Sequence, residues 1–416
     1  MSYHCSSFYY PFQIPMNFQK IIDFFFLLTI FSLPLYLLRF TLFHIPTNLL
    51  EILALASIAF LLLSKKQALL KEWLGTLKPI LTPSVILFSG LLLSFLANPW
   101  TLQGLGIIKS WFIIPFLFSL SLPLVFNSDK RIRLALNTLY ISIFSVSFLA
   151  LIYSYMGILT YDQRLSAFYL SPNHLAMFLS LGFFLFPYLY FKEKGVFGRY
   201  LLPCSLLVIA LASYLTFSYA SWLAVFLSFL SLLFINNSFS KKTSLFVLGA
   251  MLLSATFFAF QYDEPKLKNI ADSRSSFSSR LMIWRTSVEL IRDNPALGIG
   301  PGNFQTRYLD YQKYFPPYLE WAVPQPHNLY LAYYLQAGLL GLIGFLLLCY
   351  KWLAFGLKQK NAAFSAASLG ILFYILIHGL LDTPYWKNDL AFSFWIMFFL
   401  TIAFAKEQKL SQKSKV

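Results

Sequence analysis

Apolar and polar residues in this chain fall into long blocks and hardly alternate. Twelve apolar runs occupy residues 21–38, 46–64, 80–97, 104–126, 134–159, 173–191, 200–216, 222–235, 244–261, 328–350, 362–382 and 389–405. A helix needs on the order of 20 apolar residues to cross the roughly 30 Å hydrocarbon core of a bilayer. The pattern predicts an all-α polytopic membrane protein with about twelve transmembrane helices, organised as a single membrane domain over residues 1–416. One connection stands apart: residues 262–326, between the ninth and tenth runs, form a loop of 65 residues. Loops this long in a tightly connected bundle are uncommon and often functional.

Within that loop, "SSRLMIWRTSVELIRDNPALGIGPGNF" reads as an amphipathic surface helix. Ser278 or Ser279 is placed to cap it. Leu281, Trp284, Val288 and Ile291 form an apolar stripe at helical spacing, and Asn294-Pro295 ends it. The expectation is a helix lying on the membrane surface or on the bundle.

Composition agrees with the pattern. The chain has 416 residues, 58% hydrophobic and 12% charged, with a mean hydropathy of +0.66. Average soluble chains carry about a quarter charged residues, so a soluble globule is excluded. The three cysteines, Cys5, Cys204 and Cys349, show no disulfide or metal-type spacing. The N-terminal stretch "MSYHCSSFYYPFQIPMNFQK" has no basic n-region and no A-x-A site, so the first helix is expected to remain as an anchor.

A net charge of +16 invites a nucleic-acid partner, but its distribution follows topology. With a cytoplasmic N-terminus, the inside segments hold 20 of the 32 basic residues, while the short outside loops hold Arg39, Arg164 and Lys387. This is the positive-inside pattern, and it predicts both termini in the cytoplasm and no nucleic-acid binding. The long loop carries eight basic and seven acidic residues and falls on the outer side, where any chemistry is then expected.

Each candidate site has a plain structural alternative. "GIGPG" (Gly298 to Gly302) resembles a phosphate cradle, but no strand precedes it, so a turn that re-aims the chain fits better. No D-x-D or H-E-x-x-H pattern faces outward and Asp263-Glu264 stand isolated, so no metal site is predicted. Arg285, Glu289 and Arg292 share one helix face; ion pairing accounts for Arg292, and Arg285 fits pairing and anion binding equally. Arg280 lies in the first helical turn, where the helix dipole disfavours a cation, which points to a bound anion. Arg164, in "TYDQRLSAFYLSPNHLAMF", fits a second anion clamp as well as a pair with Asp162. Ser171-Pro172 caps the next helix, just inside which Asn173 and His174 read as structural. His327 stands between Pro326 and the helix that Asn328 begins, directly after the arginine-rich loop. An imidazole there can accept a proton from a hydroxyl, although many interfacial histidines do nothing.

These residues resemble a known family. His327-Asn328, nine residues, Gly338, two residues and Gly341 match the H-N-x9-G-x-x-G signature of the bacterial O-antigen ligases. "RLMIW" (Arg280 to Trp284), "PALGIGPGNF" (Pro295 to Phe304) and "RLSAFYLSPN" (Arg164 to Asn173) are similar to the arginine motifs of the wider ligase and polymerase superfamily. The sequence departs from it at "TFSY" (Thr216 to Tyr219), where a basic residue is common, and in a loose R-x3-L motif ending on Trp284.

The resemblance implies a GT-C-like membrane glycosyltransferase of the bacterial inner membrane. Its donor would be a glycan on undecaprenyl diphosphate, its acceptor lipid A–core on the periplasmic face, with membrane lipids around it. It implies His327 as the catalytic residue, Arg280, Arg164 and Arg285 on the diphosphate, and Asn328, Trp284 and Asn173 in support. No cofactor and no metal are implied. Tyr308, Tyr311, Tyr314, Tyr318 and Trp321 fit sugar stacking or an interfacial aromatic belt. An O-antigen polymerase is the main alternative, disfavoured by the short 160–172 connection. A protein O-glycan transferase stays open. A transporter or flippase has few buried ionisable candidates, namely Lys109, Glu51 and Asp23.

Overall fold

The structure, a computed structural model, describes residues 16–42, 45–65, 68–192, 195–235, 241–262, 268, 275–316 and 323–413. It is a helical bundle. In chain order the helices are α1 Met16–Phe31, α2 Leu49–Lys65, α3 Ala68–Leu77, α4 Leu81–Ala97, α5 Leu102–Ile107, α6 Ile114–Val125, α7 Asp129–Tyr155, α8 Pro172–Lys192, α9 Leu202–Leu215, α10 Tyr219–Ile235, α11 Lys241–Phe260, α12 Ser276–Asp293, α13 Phe304–Gln312, α14 Leu329–Leu357, α15 Ala362–His378 and α16 Asn388–Lys413. A π-helical turn, Ile108–Ile113, joins α5 to α6. A two-stranded antiparallel hairpin, β1 Arg39–Leu42 and β2 Ile45–Asn48, connects α1 to α2.

Every predicted apolar run falls on helix. Among the described residues, seven helices are long and apolar enough to cross a membrane, and four more are apolar but of 10–17 residues. The chain is thus a membrane-embedded helical protein. The most enclosed spans are Pro172–Lys192 and Asn388–Gln408, 89% and 94% buried, so α8 and α16 form the centre of the bundle. Their N-termini open at the same end, because His174 on α8 bonds Asp389 on α16 at 2.9 Å.

That end also gathers the connections on which the sequence placed chemistry. Leu165 N–H donates to Leu215 O at 2.9 Å, which brings the 156–171 connection onto the end of α9. Leu329 N–H donates to Gly379 O at 2.7 Å, which joins the start of α14 to the end of α15. The opposite end carries the Lys192–Asp129 pair at 3.5 Å, the Arg131–Asp23 pair and Lys406, whose Nζ reaches Thr76 Oγ1 at 2.9 Å. Lys109 and Glu51 pair at 2.7 Å, so Lys109, Glu51 and Asp23 are all matched with a partner.

Glycines set how α14 packs. A Cβ on Gly90 would lie 2.3 Å from Gly341 N, and one on Gly344 would lie 2.3 Å from Leu87 N. Helices in lipid associate through such small residues because close backbone approach supplies the van der Waals contact that burial cannot. Gly338 does something different. Its φ of +69° and ψ of −178° break the helix. Two freed backbone groups find partners in the long loop: Leu339 N–H donates to Ala296 O at 3.0 Å, and Ile299 N–H donates to Leu335 O at 2.7 Å. The glycine-rich stretch is therefore a docking turn rather than a phosphate cradle, as its lack of a preceding strand suggested.

The loop helix α12 differs in two respects from its sequence reading. Its cap is Ser275, whose hydroxyl accepts from Ser278 N–H at 3.1 Å, rather than Ser278 or Ser279. Its buried face is Ser279, Met282, Ile283, Thr286, Ser287 and Leu290, while Leu281 and Val288 of the expected stripe are exposed. The reason is local: Thr286 and Ser287 return their hydroxyls to Met282 O and Ile283 O at 3.0 and 2.8 Å, so small polar residues bury without an unsatisfied group. A small second core of Met282, Ile283, Leu290, Ile299, Phe304, Tyr308, Val323 and Leu335 then ties α12 and α13 to the first part of α14.

Candidate functional site

The loop between α15 and α16 carries the residue on which the site is built. Asp382 is 2% exposed. Its Oδ1 lies 3.0 Å from His327 Nδ1 and accepts from Thr383 N–H at 2.9 Å. Its Oδ2 lies 3.6 Å from Arg280 Nη2 and accepts from Asn173 Nδ2 at 3.4 Å. Asn173 continues the chain outward, since its Oδ1 accepts from Arg164 Nη2 at 2.7 Å. Arg164 in turn donates through Nε to Thr216 O at 2.7 Å and pairs with Asp162 at 3.7 Å. Four residues singled out in sequence, His327, Arg280, Asn173 and Arg164, thus converge on a carboxylate that sequence reasoning passed over.

The electrostatics follow from this wiring. Burial by itself raises the pKa of Asp382, but His327 and then Arg280 pull it well below the usual carboxylate range. It is an anion at any working pH. Burial lowers the pKa of Arg164; Asp162 raises it again, and nearby Arg280 adds a repulsive contribution. Two guanidinium groups close enough to repel, in a largely buried setting, make a ready seat for an anion with several oxygens.

His327 is held rather than loosely placed. Its φ is +48°, in the left-handed region that a residue with a Cβ avoids. Its neighbours impose that conformation. Trp284 Nε1 donates to Pro326 O at 3.1 Å. Asn328 caps α14, accepting from Tyr330 and Leu331 N–H at 3.0 Å, while its own amide donates to Leu380 O at 3.0 Å. Trp284 and Asn328 therefore serve by fixing the backbone on both sides of the histidine. Because Nδ1 faces an ionised carboxylate, it carries a proton there, and Nε2 is the nitrogen left to meet a substrate. The side chain is 33% exposed, so part of the ring faces out of the bundle.

Arg285 is not brought to this cluster. It lies five residues past Arg280, about 140° around the helix, on the exposed face of α12. Arg292 pairs with Glu289 at 2.6 Å, as ion pairing on that face predicted. Of the aromatic residues, Tyr308 is buried in the second core and has no face for a sugar, whereas Tyr311 and Tyr314 line a surface cleft. Tyr318, Trp321 and the Asp263-Glu264 pair lie outside the described residues, as does Cys5. Among the described residues no cluster of His, Cys, Asp or Glu has the arrangement to hold a metal ion.

Asp382 was concealed by its setting. The apolar run at 362–382 was drawn through it, so it read as the end of a span. The available signal was an acid just past a membrane helix, in "HGLLDTPYW", at the mouth that His327 shares.

Residues 204–346 match the family model described as "O-Antigen ligase". The matched stretch contains Arg280, Trp284, His327, Asn328, Gly338 and Gly341, while Arg164, Asn173 and Asp382 lie outside it. No curated protein matches the chain.

Proposed function

From the match of residues 204–346 to the O-antigen ligase family model, we propose that the chain is an inner-membrane glycosyltransferase of GT-C type. It moves a preassembled glycan from undecaprenyl diphosphate to lipid A–core on the periplasmic face. The observation that carries this reading is the convergence of His327, Arg280 and, through Asn173, Arg164 on the buried Asp382. A base and two fixed cations at one mouth of a membrane bundle are the parts that transfer from a lipid diphosphate requires.

In the reaction, His327 Nε2 takes the proton of the acceptor hydroxyl as its oxygen attacks the anomeric carbon. A new carbon–oxygen bond forms there, the bond to the diphosphate oxygen breaks, and the electron pair leaves with the lipid diphosphate. Asp382 holds the ring through Nδ1 and stabilises the imidazolium that forms, much as a carboxylate does in a hydrolase triad. Arg280 and Arg164 face the charge growing on the leaving diphosphate, and such preorganised stabilisation is commonly the largest contribution to rate. The driving energy lies in the diphosphate linkage, so no nucleotide takes part. The basic residues at the opposite end support an orientation with that end in the cytoplasm.

The short connection at 156–171 favours a ligase over a polymerase. A lipopolysaccharide gel from a strain lacking the gene, with an assay of carrier-linked glycan, tests the choice. Bare lipid A–core with long polymer accumulating on the carrier is the expected result. Core capped by one repeat, without long polymer on the carrier, would make the chain a polymerase.

A further inference from the structure

Outside the Asp382 cluster, an open cleft of about 490 Å³ lies between α12 and the end of α13. Its lining is Glu289, Asp293, Asp310, Tyr311, Lys313, Tyr314 and Phe315. Tyr314 is 65% exposed, and its ring meets that of Tyr311 edge to face at 6.2 Å, with Lys313 Nζ 5.2 Å from the Tyr314 centroid. Tyr311 donates its hydroxyl to Asp293 Oδ2 at 2.5 Å, which fixes both groups on one wall. Exposed ring faces therefore stand next to carboxylate oxygens. We propose that this cleft is a glycan-binding subsite for neutral, hydroxyl-rich sugars, remote from the bond that reacts. The inference rests on the transferase reading and gives that reading a second point of contact with its substrate.

The chemistry selects the ligand class. A sugar ring offers a C–H face that packs on an aromatic ring and hydroxyls that donate to carboxylates. Arg292 offsets Glu289, and Asp293 and Asp310 stand against Lys313, so the cleft has no excess of positive charge with which to select phosphate, sulfate or anionic lipid headgroups. An interfacial belt against anionic lipid would not place aromatic rings among acids in this way. The cleft is also set at a fixed distance. Arg280 and Asp293 sit on one helix, 13 residues apart, which at 1.5 Å per residue is about 20 Å. The core joining Ile283, Leu290, Phe304 and Tyr308 to Leu335 of α14 ties this helix to the one that His327 precedes. The distance is that of a short oligosaccharide rather than one sugar, so the cleft reads a sugar well removed from the reacting anomeric carbon. That sugar belongs either to the donor glycan or to the acceptor saccharide.

The test uses the full chain in lipid nanodiscs and two probes, the strain's O-polysaccharide released by mild acid and its lipid-free core oligosaccharide. Saturation-transfer NMR is recorded for wild type, Tyr314→Ala and Tyr311→Phe, with transfer kinetics measured in parallel. Tyr314→Ala should weaken binding and raise KM for one substrate about threefold to tenfold with kcat unchanged. Loss with the O-polysaccharide places the donor glycan in the cleft; loss with the core oligosaccharide places the acceptor there. Unchanged binding and KM for both, in a wild type that transfers glycan, overturns the subsite and leaves the transferase reading intact. Tyr314-dependent binding in a wild type that transfers nothing upholds the subsite and overturns the transferase reading.

Discussion

Two histidine–aspartate pairs stand at the same end of this molecule. His327 meets Asp382 at 3.0 Å, and His174 meets Asp389 at 2.9 Å. Their partners are interleaved, since Asn173, next to His174, bonds Asp382. Yet the second pair is sealed. His174 spends Nε2 on both oxygens of Asp389 and keeps Nδ1 3.5 Å from the Tyr36 hydroxyl, while Tyr169 donates to Asp389 at 3.0 Å. No nitrogen of His174 is left for a substrate, and the flanking rings are tyrosines where the other pair has arginines. A carboxylate beside an imidazole is thus no mark of chemistry in itself. What separates the two is that His327 leaves part of its ring exposed and shares its carboxylate with Arg280, whereas His174 is closed in by its partners.

The comparison breaks most sharply at the histidines. His327→Ala should lower transfer by about 10²–10⁴-fold, the usual contribution of a positioned base, without loss of folded protein. Size-exclusion profiles and transfer rates decide it, and full activity in a well-folded variant would end the catalytic reading of His327. Next come the carboxylates, which should separate function from stability. Asp389→Asn disturbs the buried acceptor that His174 and Tyr169 share and should cost about 1–3 kcal/mol, read as a lower melting temperature in detergent, with kcat kept in what remains folded. Asp382→Asn should reduce kcat about 10–100-fold by freeing the ring of His327. Equal activity losses in the two would collapse the distinction.

A smaller effect concerns pH. The pKa of Asp382 is depressed below its ordinary value of 3.8. A depressed carboxylate contributes stability that is present above the unfolded value and lost as pH falls through the folded one. The difference in melting temperature between wild type and Asp382→Asn should therefore persist down to about pH 5 and shrink in stronger acid. A difference that shrinks between about pH 8 and 5 would contradict the ionised state. The smallest effect belongs to Arg285→Ala, which should leave transfer within about twofold, since exposed charges contribute little. A loss as large as that of Arg280→Ala would restore Arg285 to the anion seat.

Helices and their order were legible because an apolar run is a local property. His327 and Arg164 drew notice by standing at a span end and in an outer loop; Arg280 drew notice as a first-turn cation, but with Ser275 as the cap it is the fifth residue of α12, and the dipole argument for it lapses. Three things were not legible. The inward face of α12 was misread because it buries serines and threonines, whose hydroxyls close on their own helix and so imitate a solvent face. Asp382 lay hidden because a span boundary says nothing about which carboxylate turns back into the bundle. Asn173 read as structural, and its bridge between Arg164 and Asp382 depends on an approach of two segments 209 residues apart in sequence.

The break at Gly338 bears on how such proteins can be recombined. The loop residues 296–299 and the helix residues 335–339 complete one another's backbone bonding. The long loop is therefore no interchangeable cassette. A chimera that imports the loop of a relative but keeps the native α14 would strand amide and carbonyl groups at membrane depth. A graft that carries residues 275–345 as one block moves lock and key together.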